Sequence, residues 1–266
     1  MKFNPSQSKV IFIGSGKGGV GKSTIAVNLA VALAHQGQKI GLLDADVYGP
    51  SIPIMFGLRR LSPRLERLPS GEEKVIPFTK FGVQVISLGF FIEEACSIIW
   101  RGPMLHGTLQ KMLQNVAWGE LDLLIVDLPP GTGDILISLT QLLKVEGALV
   151  VCTPQEVAML DAIKAINAFD QLDIPLWGIV ENMAGFQVPE TEQVYHIFGQ
   201  GKAQELATRF QTKVLASIPL VSSIREGGDE GIPCALYPGE PTGHLFHRLA
   251  SLFIQHCLHP IPNPFQ

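Results

Sequence analysis

Gly16-Lys17-Gly18-Gly19-Val20-Gly21-Lys22-Ser23-Thr24 comes just after an apolar β-branched run, Val10-Ile11-Phe12-Ile13, and opens a helical pattern over residues 23–34. Strand, glycine turn and helix start are the context in which G-x-x-x-x-G-K-[ST] binds phosphate. Glycines let the backbone fold tightly enough for successive N–H groups to converge on one anion. The helix N-terminus adds partial positive charge at the same spot. In this pattern Lys22 reaches the β- and γ-phosphates, and the Ser23 hydroxyl ligates Mg²⁺. The stretch therefore predicts a nucleotide site for ATP and Mg²⁺.

Outward from it, short apolar runs alternate with helical spacing. The runs are 9–13, 39–43, 83–88, 123–126, 148–152, 176–180 and 214–218, and helical patterns include 105–116, 155–170 and 202–210. Runs without polar alternation read as strands buried on both faces of a parallel sheet. Strand–helix alternation implies right-handed crossovers, hence an α/β, doubly wound, mostly parallel sheet with helices on both faces. A single domain over 1–266 is expected, with ligands outside the carboxyl ends of the strands. The stretch 58–80, with Arg59, Arg60, Pro63, Arg64, Pro69 and Gly71, reads as an irregular surface insertion.

Acids stand where that geometry needs them. Asp44-Ala45-Asp46 follows the second run, and two carboxylates beside a phosphate site call for a cation. Leu123-Leu124-Ile125-Val126-Asp127 is an apolar strand ending in an acid, the Walker B pattern, in which Asp127 holds Mg²⁺ through water. Pro129-Pro130-Gly131-Thr132-Gly133-Asp134 suits a γ-phosphate switch, and Asp134 is read as the N-cap of the next helix. Thr153-Pro154 and Glu181-Asn182 end later strands, where an amide can pair with adenine or simply form a turn.

The chain has 266 residues, 46% hydrophobic and 17% charged, with net charge −4. Slight acidity gives no general attraction to nucleic acid or anionic lipid. No apolar run approaches the roughly 18 residues of a membrane span, and the first residues lack a signal-peptide core. Cys96, Cys152, Cys234 and Cys257 form no paired spacing, so no disulfide framework is expected. A cytoplasmic protein without nucleic-acid or membrane partners is the expectation.

Lys17 directly after the first glycine, completed by Gly18-Gly19-Val20, resembles the deviant phosphate loop of the MinD/ParA group of P-loop ATPases. That group sandwiches nucleotide in a dimer, and the resemblance implies that Lys17 reaches the partner subunit's phosphates. Over nearly its whole length the chain is similar to the Mrp/ApbC (Nbp-like) iron–sulfur cluster carrier ATPases. The matching segments are 14–24, Asp44-Ala45-Asp46-Val47-Tyr48-Gly49-Pro50-Ser51, Trp100-Arg101-Gly102-Pro103-Met104, 127–134, Glu181-Asn182-Met183 and Ile224-Arg225-Glu226-Gly227-Gly228-Asp229.

The resemblance implies a homodimeric, Mg²⁺-dependent ATPase. Asp44 would support the Mg²⁺ shell, Asp46 would orient the attacking water, and Asn182 and the Pro154 segment would wall the adenine pocket. It also implies a role with iron–sulfur apoproteins or a cluster-bearing partner. The extra N-terminal domain of many bacterial members is expected to be absent. One departure stands out. Where the family carries Cys-Pro-x-Cys, this chain reads Val188-Pro189-Glu190-Thr191, without the soft thiolates that an iron–sulfur cluster requires. His196 and Cys234 are the candidate substitute ligands, and the expectation is no stable cluster on the isolated chain. The alternative is a MinD/ParA-like positional switch; a basic amphipathic C-terminal helix would favour it, and the pattern over 245–258 contains no lysine.

Overall fold

The apolar runs are strands covered on both faces. The structure is a computed structural model that describes residues 8–67, 71–91, 102–131, 133–188, 191 and 193–258. Strand β1 (Lys9–Gly14) leads through the glycine turn into helix α1 (Lys22–His35), followed by β2 (Ile40–Asp44) and the single turn α2 (Ile52–Met55). Then come strands β3 (Arg64–Arg67), β4 (Glu73–Ile76), β5 (Phe78–Lys80) and β6 (Val83–Ser87), and helix α3 (Gly102–Asn115). Strand–helix alternation resumes with β7 (Leu123–Asp127), α4 (Asp134–Leu142), β8 (Gly147–Cys152) and α5 (Glu156–Gln171). The remainder is β9 (Leu176–Gln187), β10 (Val194–Tyr195), α6 (Lys202–Arg209), β11 (Val214–Leu220), α7 (Ser222–Glu230) and α8 (Pro241–Phe253).

Nine strands form one sheet in the order β10-β9-β8-β1-β7-β2-β6-β5, with β11 also paired to β9. All pairs are parallel except β10 on β9 and β5 on β6. Alternation within β1 shows why its run is continuous. Ile11 and Ile13 pack with α1 and α8 on one side, Val10 and Phe12 with α3 to α6 on the other, and all four are fully buried. Helix α1 is apolar nearly all round because it lies between the sheet and α8.

Register places the site. Strand β7 lies between β1 and β2, with Asp127 opposite Ile13 on one side and Asp44 on the other. Because the three strands are parallel, the phosphate loop and both acids emerge at one edge of the sheet.

Two expectations are corrected. Within 58–80, residues 64–67, 73–76 and 78–80 are strands: β3 and β4 pair antiparallel, and β5 closes the sheet against β6. Charge and proline hid the short strands, which stand at edges where polar residues are tolerated. Strand β9 does not stop at Val180 but runs to Gln187, since β11 and β10 supply pairing partners as far as Phe186 and Gln187. Asn182 is therefore a strand residue and not a turn former.

Helix α8 buries Phe246, Leu249 and Phe253 against the domain and continues as a π-helical turn, Ile254–Leu258. There Lys9 Nζ donates to the Leu258 carbonyl at 2.7 Å. Among the described residues no helix is long and apolar enough to cross a membrane.

Candidate nucleotide site

The glycine loop is shaped by what surrounds it. A Cβ on Gly16 would lie 2.0 Å from the Asp161 backbone carbon and oxygen in α5, so only glycine lets the loop pack there. Gly21, the N-cap of α1, has φ 83°, and a Cβ on it would lie 2.1 Å from Asn182 Nδ2. That same Nδ2 donates to the Val20 carbonyl at 2.8 Å. The Ser15 hydroxyl donates to the Lys17 carbonyl at 3.0 Å, and Gly131 N–H in the segment after β7 donates to the Ser15 carbonyl at 3.0 Å. A cavity of about 230 Å³ opens above the loop, lined by Lys17, Gly18, Gly19, Val20, Gly21, Lys22, Ser23 and Thr24 with Asp46, Gly49 and Pro130 among the facing residues.

At its floor, Lys22 Nζ donates to Asp127 Oδ1 at 2.7 Å and stands 4.0 Å from Asp46 Oδ2. The Ser23 hydroxyl donates to Asp127 Oδ2 at 2.5 Å. Asp46 Oδ1 accepts from the Tyr48 and Gly49 N–H groups, both at 3.2 Å, which ties its loop over the cavity. Asp44 is fully buried; it accepts from Ser87 Oγ at 2.8 Å, Asp46 N–H at 3.1 Å and Ile52 N–H at 3.3 Å. These bonds make Asp44 a brace for the Asp46 loop. No bond joins it to Ser23 or Lys22 among the described residues.

Burial, reinforced by the Asp127 charge, pushes the Asp44 carboxyl up to about 8. Burial raises Asp127 as well, against the pull of the Lys22 ammonium and the Ser23 hydroxyl. Asp46 and Asp127 around the single Lys22 ammonium leave an excess of negative charge and hard oxygen donors. That donor set fits Mg²⁺, which keeps several waters and takes only one or two protein ligands. Among the described residues no three His, Cys, Asp or Glu side chains gather into a metal cage.

A second cavity of about 320 Å³ adjoins the first. Asn182, Gly21, Thr24 and Met55 line one side, and Pro219, Leu220, Val221 and Ile224 the other. Pro154, expected as the opposite wall, is not among the lining residues; it is buried, with its carbonyl beside Gly199. The physical reason is the parallel pairing of β11 on β9, which brings the end of β11 next to Asn182. Sequence reading missed Pro219 to Val221, although the neighbouring Ile224–Asp229 match was a signal. Asp134 is the first residue of α4 and Gly133 its N-cap, which corrects the capping role given to the acid. The Lys17 ammonium is half-buried and makes no hydrogen bond or ion pair among the described residues.

The position of the missing cysteine pair falls between β9 and β10, which pair antiparallel. Val188 N–H donates to the Gln193 carbonyl at 3.0 Å, and Thr191 N–H and Oγ1 both donate to the Val188 carbonyl, at 3.2 and 3.1 Å. Pro189 and Glu190, like Cys96, Thr132, Trp100 and Arg101, lie outside the described residues. Cys152, Cys234 and Cys257 are buried singly. Burial pushes the Cys152 and Cys257 thiols up to about 12 and raises Cys234, whose Sγ donates to the Ser223 carbonyl at 3.2 Å. His196 is exposed on the hairpin and contacts the Ala184 carbonyl through Nδ1. The substitute pair of Cys234 and His196 is therefore not assembled: one is core and the other is surface.

A sheet of this order, a glycine loop between its central strand and α1, and acids ending β7 and β2 define a P-loop NTPase. The chain belongs to the ParA-type family described as the NUBPL iron-transfer P-loop NTPases, whose model matches residues 6–253. It is 46% identical over 253 residues to an iron–sulfur cluster carrier protein of Aquifex aeolicus, covering 94% of this chain and 68% of that protein. It is 45% identical over 257 residues to the Arabidopsis thaliana mitochondrial iron–sulfur protein required for NADH dehydrogenase, covering 96% and 80%. A nucleotide-binding protein of Archaeoglobus fulgidus, solved in complex with ADP, superposes with TM-score 0.75 at 38% identity, covering 90% of this chain and 92% of that one.

Proposed function

We propose that this chain is a Mg²⁺-dependent ATPase that works as a nucleotide-sandwich homodimer in iron–sulfur protein maturation. The observation that carries the reading is the Lys22–Asp127–Ser23 triad under the glycine loop, with Lys17 left unpaired at the rim. Loop N–H groups and Lys22 would hold the phosphates, Ser23 and Asp127 the metal, and Asp46 the attacking water. Mg²⁺ would supply charge neutralisation on the phosphates. Asp44 acts one step back, by fixing the Asp46 loop. The second cavity is the nucleobase site, with the Asn182 carbonyl oxygen left for the base because its amide N–H holds Val20. A bacterial cytoplasm or a mitochondrion equally suits a chain with bacterial and mitochondrial relatives.

Lys17 acts in trans in this reading. Mixing Lys17→Ala with Asp46→Ala tests it, since heterodimers pair an intact Lys17 with the partner subunit's intact Asp46. Recovered ATP hydrolysis is expected, and inactive heterodimers that demonstrably form would count against it.

The cargo step differs from the family pattern. Val188 and Thr191 replace the two thiolates, and the described cysteines are buried, so cluster handling here requires thiolates from a partner. Anaerobic reconstitution should leave the wild-type chain without stoichiometric iron, while Val188→Cys with Thr191→Cys should gain it. About two irons per wild-type chain, half of a shared [4Fe–4S] centre, would overturn this part. A membrane-bound positional switch is disfavoured because the apolar stripe of α8 is already used against the domain.

A further inference from the structure

The β3–β4 hairpin has no part in the nucleotide site, and its two edges are used differently. Strand β4 is anchored. Val75 is buried in the core, its carbonyl accepts from Ala117 N–H at 2.9 Å, and Lys74 Nζ donates to the Gln114 carbonyl at 2.8 Å. In an antiparallel pair, residues directly opposite both face inward or both face outward with their backbone groups. Since Val75 turns its carbonyl away from β3, its partner Leu65 turns its N–H and C=O away from β4, and Arg67 two residues on does the same. No strand pairs with that edge among the described residues.

All four residues of β3 are exposed. Leu65 is 61% exposed although it stands beside Val75 on the core-facing side, and Leu61 just before the strand is 48% exposed. Within residues 59–76 four arginines, Arg59, Arg60, Arg64 and Arg67, together with Lys74 outnumber Glu66, Glu72 and Glu73, the last standing opposite Arg67, in a chain of net charge −4. Arg64 makes no hydrogen bond or ion pair among the described residues. Arg67 spends one N–H on the Gly71 carbonyl, at 3.4 Å. Charged residues on an edge commonly keep it from pairing with its own kind. Arginines do so selectively, repelling a second copy of the same edge while attracting a strand of opposite charge.

We propose that β3 is a docking edge for an acidic, extended segment of a partner protein, added to the hairpin as a third strand. Backbone bonds to Leu65 and Arg67 would give affinity, Arg64 and Arg67 would select acidic side chains, and an apolar side chain of the segment would cover Leu65. The surface is independent of the nucleotide reading, so its test is run on the full chain without nucleotide.

The probe is a fluorescein-labelled octapeptide of alternating glutamate and valine, followed by anisotropy. Saturable binding is expected, weakened about tenfold or more by Arg64→Glu with Arg67→Glu, and by added salt. N-methylation of alternate peptide amides should abolish it, and amide exchange should slow at Leu65 and Arg67 when the peptide binds. The double variant should keep its melting temperature and ATPase activity, which separates loss of docking from loss of fold. No saturation up to about 1 mM peptide, equal binding of a lysine–valine peptide, or tighter binding of duplex DNA would overturn the proposal. So would self-association of the nucleotide-free chain that Arg64→Glu with Arg67→Glu abolishes, which would make a second copy the occupant.

Discussion

Lys22 Nζ donates to Asp127 Oδ1 at 2.7 Å, with Asp127 fully buried, so the cation of the phosphate loop and the acid ending β7 neutralise one another. Breaking such a buried pair from one side leaves an uncompensated charge, at a cost of about 3–5 kcal/mol. Lys22→Ala should therefore lose measurable ATP affinity in calorimetry and also melt earlier. Asp127→Asn added to Lys22→Ala should restore much of the stability but none of the binding. A double variant no more stable than Lys22→Ala would show that the pair is not the origin of the loss.

Asn182 reaches the loop from β9 through one bond to the Val20 carbonyl. Asn182→Ala should cost about 1 kcal/mol in denaturant unfolding and weaken nucleotide binding further, because the loop it steadies carries the phosphate donors. Gly21→Ala should be worse, since it combines a left-handed φ with a clash against the same amide. Combining the two substitutions relieves the clash but not the φ. Partial rescue in the double variant is expected, and strictly additive losses would contradict the contact.

Asp44 sets a pH dependence of defined sign. Its carboxyl is held at about 8 by burial and the Asp127 charge, against about 3.9 in an unfolded chain. The folded state therefore binds this proton more tightly, and the nucleotide-free protein should lose stability as pH rises from about 4 through about 8. Asp44→Asn cannot ionise and should flatten that slope. Thermal denaturation of both proteins in metal-free buffer across this range is the measurement. Parallel curves would mean that Asp44 is ionised throughout.

Thiol chemistry offers a fourth check. Burial holds Cys152 and Cys257 at about 12 and raises Cys234, so none is a thiolate near neutral pH. In a Cys96→Ser background the native protein should show no fast-reacting thiol with an aromatic disulfide reagent at pH 8, and all three after unfolding. Rapid modification of one thiol in the native protein would identify an accessible ligand candidate.

Most of the fold was legible because its strands announce themselves. Val10 to Ile13 and Leu123 to Val126 are apolar without interruption, which two covered faces demand. The phosphate loop was legible because glycine at Gly16 and Gly21 is required sterically, as Asp161 and Asn182 show. Three features were not. The end of β9 is set by its neighbours β11 and β10, a long-range fact that no local pattern carries. The wall formed by Pro219 to Val221 depends on the same pairing. Asp44 and Asp46 stand two residues apart and look interchangeable in sequence. Only the fold shows that Ser87, from β6, turns the first into a buried brace while the second faces the cavity.

The bond from Lys9 Nζ to the Leu258 carbonyl places the first residue of the central strand beside the last described turn of the chain. A linker spanning those points would cross a short gap, so a circular permutant is sterically available, with new ends opened at a surface hairpin. In such a rearranged chain β1 would be made after α8 instead of before it. The order of synthesis could then be separated from the architecture, and a nucleotide site that still assembled would owe its geometry to the finished sheet alone.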